Sequence, residues 1–364
     1  MHKGEEIIMG LGIFKQDIGI DLGTANTLVY IKGKGIILDE ASVIAYNKNT
    51  KKVIAVGNEA KSMIGAAPPH ISVVRPLKDG VISDFGMTSM MLKSFIGRVV
   101  PTSSFFTSVR VVIGVPSGVT EVEKRAVEEV TRQMGAKEVY IMEEPMAAAI
   151  GVGLDVDSPT GCMITDIGGG TADIAIISLG GIVTSTSLKM AGDKMNEAII
   201  NYIRKMYGLL IGEKMAEKVK IAIGCAYVDE SDPEWILKSN ISGRDLVTGL
   251  PKTIEVSSKD ICAALEESIM EIVEGVKATL ETAPPELAAD IINKGMVLAG
   301  GGSLLRGLDI LIERETGIAT TIAENAAEAV AMGTGLSLQN MENILTHVRA
   351  KNPYANANTN NSSY

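Results

Sequence analysis

From Ile18 to Val56 apolar residues alternate or run in short blocks, and the blocks are separated by Lys-Gly and Asn-Lys pairs. β-branched runs bounded by turn formers predict a meander of short strands over residues 17–56. Pro68-Pro69 breaks the chain. Met87–Val99 carries apolar residues at helical spacing and stops before Pro101, so it predicts a helix. Arg110–Val115 reads as a buried strand closed by Pro116-Ser117. Thr120, with Glu123 three residues on, has the signature of a capping box and predicts a helix from Thr120 to Met134. Val139–Met142 is a further strand leading into Glu143-Glu144-Pro145. A residue before proline is biased away from helix, so Glu144 is expected in a sharp turn and the helix in Met146–Val152.

The same alternation returns in the second half. Ile174–Ser187 reads as a hairpin about Gly180-Gly181, and residues 193–224 as largely helical. Residues 226–257 are polar and strand-like. Asp260–Glu281 is a long amphipathic pattern stopped by Pro284-Pro285, and Met296–Ala299 is a short apolar strand running into Gly300-Gly301-Gly302-Ser303. The order hairpin, strands, helix thus occurs twice. It predicts two α/β halves around a cleft, with a boundary near Gly151–Thr160 and a return to the first half near the C-terminus. Asn352–Tyr364 is Asn/Ser-rich and expected to be disordered.

Both halves open on one motif. The first copy reads Ile18-Gly19-Ile20-Asp21-Leu22-Gly23-Thr24-Ala25-Asn26-Thr27, the second Ile164-Thr165-Asp166-Ile167-Gly168-Gly169-Gly170-Thr171-Ala172-Asp173. Each predicts a strand, a Gly-containing turn and a second strand. Glycine lets backbone N–H groups approach a phosphate closely, and Thr24, Asn26 and Thr171 add side-chain donors. Asp21 and Asp166 end apolar stretches, where a strand delivers its last side chain into a cleft. Carboxylates there repel phosphate unless a cation sits between, and Mg2+ commonly takes one or two carboxylates with phosphate oxygens. Two unrelated Asp-Gly hairpins are the plain alternative. The repetition in one residue order favours a nucleotide polyphosphate with its magnesium.

Composition narrows the class. The chain has 364 residues, 46% hydrophobic and 21% charged, enough for two filled cores. A formal net charge of −10 disfavours a general grip on nucleic acid. Three cysteines, Cys162, Cys225 and Cys262, lack Cys-x-x-Cys spacing and read as free thiols of a reducing cytosol. His2, His70 and His347 are scattered, with no visible His metal site or Ser-His-Asp triad. No apolar run approaches a spanning helix.

Further segments could complete a nucleotide site. A carboxylate at Glu144 could orient a water for in-line attack, or it is a solvated turn residue. Glu217 and Lys220, at i and i+3, could face a ribose or base, or form a solvent-facing ion pair. Gly300-Gly301-Gly302 allows close backbone approach to a flat or anionic group, with a following helix N-terminus adding positive potential. Phe105 and Phe106, two of five phenylalanines, sit in a polar loop. They either enter the core or form an apolar prong for a membrane or partner. Ile7, Ile8, Leu11 and Phe14 could make an interfacial helix, but Gly10 and Gly12 weaken it and a mobile tail is the alternative.

These residues resemble the actin, sugar-kinase and heat-shock-chaperone ATPase superfamily and, within it, the MreB/Mbl family of bacterial actin homologues. Asp21–Thr27, Glu143–Gly151, Asp166–Thr171, Gly192-Asp193, Pro284–Leu287 and Gly295–Leu305 carry the resemblance, which covers about residues 17–345. It implies an actin-like α/β fold of four subdomains. Residues 1–16 would be a tail that can bind membrane, and 17–150 the first half with a small subdomain at about 33–77. Residues 151–325 would be the second half with its small subdomain at about 190–252, 326–348 the return, and 349–364 a polar tail. Thr24, Ala25 and Asn26 would be the first phosphate loop, and Gly168, Gly169, Gly170 and Thr171 the second. Glu217, Lys218, Val219 and Lys220 would contact adenosine, and Gly300, Gly301, Gly302 and Ser303 the base and α-phosphate side. Asp21 and Asp166 would hold Mg2+ through water, and Glu144 with Thr171 and Asp166 would form the hydrolytic end. The family implies ATP and ADP as ligands and homopolymers of antiparallel double protofilaments. It also implies the inner face of the cytoplasmic membrane, engaged through Phe105 and Phe106, and the cell-wall elongation machinery as partners. A small-molecule kinase or a plasmid-segregation actin of the same superfamily is the rival. A chaperone would need a peptide-binding domain for which the chain leaves no room.

Overall fold

The structure is a computed structural model that describes residues 14–99, 107–229 and 231–338. In its first part the chain runs β1 (Phe14–Leu22), β2 (Asn26–Ile31), β3 (Gly35–Ala41), β4 (Ile44–Asn47), β5 (Val53–Val56) and α1 (Asn58–Ser62). It continues with β6 (Ile71–Val74), β7 (Leu77–Lys78), β8 (Val81–Ile82), α2 (Phe85–Val99), β9 (Thr107–Val115), α3 (Glu121–Gln133), β10 (Glu138–Glu143) and α4 (Glu144–Gly151). The second part holds β11 (Cys162–Ile167), β12 (Ala172–Ser178), β13 (Gly181–Leu188), α5 (Gly192–Tyr207), β14 (Leu209–Leu210) and α6 (Glu213–Ile223). Then come β15 (Lys238–Asp245), β16 (Pro251–Ser257), α7 (Ser258–Glu281), α8 (Pro285–Lys294), β17 (Met296–Ala299), α9 (Leu308–Thr316) and β18 (Thr320–Ile322). Residues 329–338 are helical.

Two five-stranded sheets share one topology: β3-β2-β1-β9-β10 and β13-β12-β11-β17-β18. In each, three strands form an antiparallel meander and the other two add in parallel. The duplicated motif is therefore the first hairpin of a duplicated sheet. Strands β11 and β12 are buried at every position and are mostly apolar, as strands covered on both faces must be, with Asp166 and Asp173 the charged exceptions. Edge strand β13 alternates half-buried and exposed residues.

Each sheet has its own core. Ile18, Ile20 and Ile113 pack with Met91 and Phe95 of α2 and Val130 of α3. Ile174 and Ile176 pack with Ile199 of α5, Val219 of α6 and Ile269 and Val273 of α7. A third cluster joins them: Ala147, Ala148 and Ala149 of α4 lie against Ile164, Ala175 and Val330. Small residues are needed there because backbones nearly touch. A Cβ on Gly151 would run into the Ala329 carbonyl, and one on Gly333 into the Ala147 carbonyl. Small three-stranded sheets, β5-β4-β6 and β14-β15-β16, flank the cleft.

Several expectations change. Glu144 is the first residue of α4, with Pro145 in the first turn, and is not in a turn between strand and helix. Pro284-Pro285 ends α7, but Pro285 also opens α8. In both places proline occupies a first-turn position, where its missing N–H costs nothing and its φ suits a helix. The Thr120–Glu123 capping box is present, with Glu123 N donating to Thr120 Oγ1 and Thr120 N to the Glu123 carboxylate. Helix α2 starts before Met87 because Asp84 accepts the Met87 N–H at 3.0 Å. The short elements α1 and β6–β8 add to the expected set.

Candidate functional site

The two motif hairpins face each other. Register pairs Asp21 with Leu28 around the first turn and Asp166 with Asp173 around the second. The first turn is held from behind by Ser42, whose hydroxyl donates to Gly23 O (2.6 Å) and whose N–H donates to Ala25 O (2.9 Å). The second is closed by Gly168 N donating to Thr171 O at 2.9 Å. A Cβ on Gly169 would lie 2.5 Å from the Ala25 methyl, and one on Gly170 would strike Thr24. Only glycine permits this approach. A third turn joins them: Gly80, between β7 and β8, donates its N–H to Thr24 Oγ1 at 3.0 Å. Thr24 thus receives a backbone donor and keeps its own O–H free to donate. Asn26 directs one of its two amide N–H groups to Asp39 Oδ1 at 2.8 Å, which ties it to the first sheet while it lines the cavity.

Carboxylates gather below these turns. Asp21 and Asp166 occupy equivalent positions in β1 and β11, and Glu144 opens α4. Asp166 and Glu144 are only 5% and 7% exposed. Burial pushes the Asp21 carboxyl up to about 7, with Asp39 adding repulsion. Burial also raises Asp166 well above the carboxylate range, helped by Asp21 and Asp173. Glu144 is raised by burial first, then by Asp173, Asp21 and Asp166. Asp166 Oδ1 is buried without any hydrogen-bond partner. Asp173, raised by burial to about 6, accepts the Ser117 N–H at 2.8 Å and so links the loop after β9 to β12.

At the other end, α6 and the Gly300 turn form the wall. Glu217 and Lys220 both face the cavity, but each has its own partner. Lys220 Nζ donates to Gly192 O at 2.7 Å, and burial lowers its pKa to about 8. Glu217 pairs with Lys61 at 3.0 Å. Lys218 is exposed on the outer side of α6, and Val219 is buried in the second core, so neither lines the cleft. Helical periodicity presents residues three and four apart on one face, not four in a row. Gly300, Gly301 and Gly302 line the cavity, whereas Ser303 is fully buried and braces the turn by donating to Gly300 O at 2.7 Å. Gly301–Leu304 is a four-residue 3-10 turn, so no α-helix N-terminus aims at the cleft there. Helix α5 begins at the cleft, where Gly192 and Asp193 donate their N–H groups to Gly168 O and Gly169 O.

Ion pairs span the mouth. Arg75, after β6, reaches Asp193 (3.1 Å) and Glu213 (2.5 Å), and Lys214 Nζ donates to Ser62 O at 2.6 Å. The cleft holds about 510 Å³, within the range of sites that bury a small molecule. Glycine turns, a lysine and a ring of buried carboxylates together suit an anion that brings a cation.

Comparison with known proteins decides the family. A family model described as MreB/Mbl protein matches residues 15–346. The chain belongs to the MreB/Mbl family. It is 50% identical over 332 residues to the cell shape-determining protein Mbl of Bacillus cereus, covering 91% of this chain and 98% of that one. It is 49% identical over 332 residues to the cell shape-determining protein MreB of Escherichia coli K12, covering 90% and 94%. MreB 5 of Spiroplasma citri bound to AMPPNP superposes with a TM-score of 0.86 at 39% identity, covering 92% of this chain and 99% of that one. Its ADP-bound form superposes equally well. The fold is accordingly the actin-like one.

Within this MreB/Mbl frame, Asp39, Gly80 and Arg75 join the site although no motif singles them out, and Asp173, the last residue of the second motif copy, adds its carboxylate. Gly192-Asp193 carries part of the family resemblance, and the fold gives it a role in holding the second turn. Phe105, Phe106, the N-terminal segment 1–13 and the polar tail lie outside the described residues. Among the described residues no helix is long and apolar enough to cross a membrane.

Proposed function

We propose that this chain binds ATP and ADP with Mg2+ between the two motif hairpins and hydrolyses ATP at low turnover. We further infer that it assembles with copies of itself into antiparallel double protofilaments on the inner face of the cytoplasmic membrane, where they organise cell-wall elongation and determine rod shape. The observation that carries the nucleotide reading is the contact of Gly169 with Ala25 and Gly170 with Thr24 directly above buried carboxylates.

The residues fit a magnesium ion. Asp166 Oδ1 is an orphaned buried acceptor, and Asp21, Asp166 and Glu144 each repel the next. Among the described residues no group of three acidic, His or Cys side chains could hold a metal on its own. That fits an ion completed by water and phosphate oxygens. Asp21 and Asp166 would hold it through water, and when bound it supplies charge neutralisation at the phosphates.

The chain's own groups do the rest. Backbone N–H groups of the two turns and the Thr24 and Thr171 hydroxyls bind and orient phosphate oxygens. Glu144, in a buried setting, orients the attacking water with Thr171 and receives its proton once the neighbouring negative charge is offset. Lys220 and Glu217 bound the ribose and base end. Because the two turns belong to different sheets, loss of a phosphate loosens the link between halves and alters the surfaces that copies share. The division into four subdomains, with small ones built on β4–β6 and β14–β16, is part of this reading.

Titration of the full chain with ATP and with ADP, each with and without Mg2+, tests it. The expected result is saturable binding of both that weakens when Mg2+ is chelated. Absence of binding, or binding unaffected by Thr24→Val with Thr171→Val, overturns it.

A further inference from the structure

The second half buries one thiol against another. Cys225 lies just past α6, bridges to Arg306 in parallel register, and is fully buried. Its Sγ donates to Ser258 O over 3.6 Å. Cys262 stands one helical turn beyond Ser258 on α7, and a helical side chain leans back over the turn that precedes it. The two thiols share a hydrogen bond. Cys262 is half-buried, whereas Cys225 is fully buried.

Arg306 completes the cluster. Its Nη2 donates to Trp235 O (2.8 Å) and Ser258 Oγ (3.2 Å), and its guanidinium lies 4.9 Å from the Trp235 ring centre. Its buried Nε has no hydrogen-bond acceptor. Arg306 also lines the nucleotide cleft, as does Gly224, the neighbour of Cys225. Cys162 differs: it donates to Ile177 O at 3.6 Å inside the sheet.

We propose that Cys225 and Cys262 form a dithiol site that closes to an intramolecular disulfide on reaction with hydrogen peroxide, tying the end of α6 to α7 behind the cleft wall. The Cys262 hydrogen bond and the Arg306 guanidinium outweigh burial and draw the Cys225 thiol down to about 7, so the pair carries one thiolate near neutral pH. Proton transfer along the S–H···S bond lets the more accessible Cys262 act as that thiolate. Its sulfur attacks a peroxide oxygen, the O–O bond breaks, and Cys262 sulfenic acid and hydroxide form. The hydroxide takes the Cys225 proton and becomes water. Cys225 thiolate then attacks the Cys262 sulfur, the S–S bond forms, and a second hydroxide leaves and is protonated by solvent. Two thiols are oxidised by two electrons, and one peroxide is reduced to two waters.

The bond stands apart from the nucleotide reading, whereas its consequence rests on that reading. Helix α6 carries Glu217 and Lys220, so tethering its end to the long α7 stiffens that wall and slows nucleotide release. The test treats the folded full chain with hydrogen peroxide at neutral pH, alkylates the remaining thiols, and maps the peptides. The expected result is an intact mass lower by about 2 Da before alkylation, a Cys225–Cys262 link reversed by a thiol reductant, and Cys162 alkylated. Cys262→Ser should abolish the link and Cys162→Ser should leave it, while the unmutated map stands without either variant. Recovery of Cys225 and Cys262 as alkylated thiols, a sulfinic acid on Cys262, or a link to Cys162 overturns the site. Release of a fluorescent ADP from the oxidised chain should be severalfold slower than from the reduced chain. Equal rates overturn the coupling; failure of ADP to bind either form defeats the nucleotide reading and leaves the disulfide standing.

Discussion

Arg75 reaches across the mouth of the cleft to Asp193, with 3.1 Å between guanidinium nitrogen and carboxylate oxygen. Arg75 comes just after β6 of one small sheet, and Asp193 is the second residue of α5, whose first N–H groups hold the second motif turn. The same guanidinium meets Glu213, and Lys61 meets Glu217 beside it. Under the proposed function, a nucleotide leaving the cleft would have to part these pairs.

Arg75→Ala combined with Lys61→Ala should therefore speed nucleotide release. The side chains are about a quarter to a third exposed, so each pair is screened by solvent. At about 0.3–0.5 kcal/mol for each of the three pairs, release should accelerate by about fivefold to tenfold, and raising salt should accelerate the unmutated chain toward the same rate. Stopped-flow displacement of a fluorescent ADP checks this. Salt-independent release in both chains would contradict it.

The carboxylate cluster makes a statement about stability and pH. Asp21 titrates at about 7 in the nucleotide-free fold because of burial and Asp39. An unfolded aspartate titrates near about 4. Between these values the folded chain holds more protons than the unfolded one, so this contribution is fully present below the lower value and is lost as pH rises through the upper. Asp166 and Glu144 shift in the same direction. Asp21→Asn should thus raise the melting temperature of the nucleotide-free chain by a few degrees at pH 8, with less gain at pH 5. It should also weaken the further stabilisation brought by Mg2+ and ATP. Equal destabilisation at both pH values would show that Asp21 serves packing and not a cation.

Glu144→Ala should leave ATP binding intact and slow phosphate release by about a hundredfold, the usual scale for losing a positioned proton acceptor. A phosphate-release assay at saturating ATP reads this directly. Unchanged turnover would remove Glu144 from its assigned role.

Phe105→Ser with Phe106→Ser should abolish co-sedimentation with anionic liposomes and spare nucleotide affinity. A double variant that still pellets with lipid would transfer membrane binding to the N-terminal segment.

How much a sequence discloses depends on how local the physics is. The motif hairpins are legible because Asp, Gly and Thr act within ten residues of one another, and the duplicated sheet is implied by their repetition. Asp39, Gly80 and Arg75 are not, because β-register, a turn from outside the motifs and the closure of two small sheets bring them in from distant positions. Lys218, Val219 and Ser303 look like contacts because they adjoin residues that line the cavity, yet helix and turn geometry send them to solvent, core and turn. Pro145 and Pro285 look like breakers, although a first-turn proline begins a helix as readily as it ends one.

In the proposed function, ATP held between the two motif turns drives self-assembly. Sedimentation of the full chain over a range of concentrations, with Mg2+-ATP and with chelator alone, combined with electron microscopy of the pellets, tests it most directly. A pellet of paired filaments that appears above a threshold concentration and depends on ATP is the predicted result. A chain that stays monomeric with Mg2+-ATP and lipid at every concentration would contradict it and favour a kinase on the same fold.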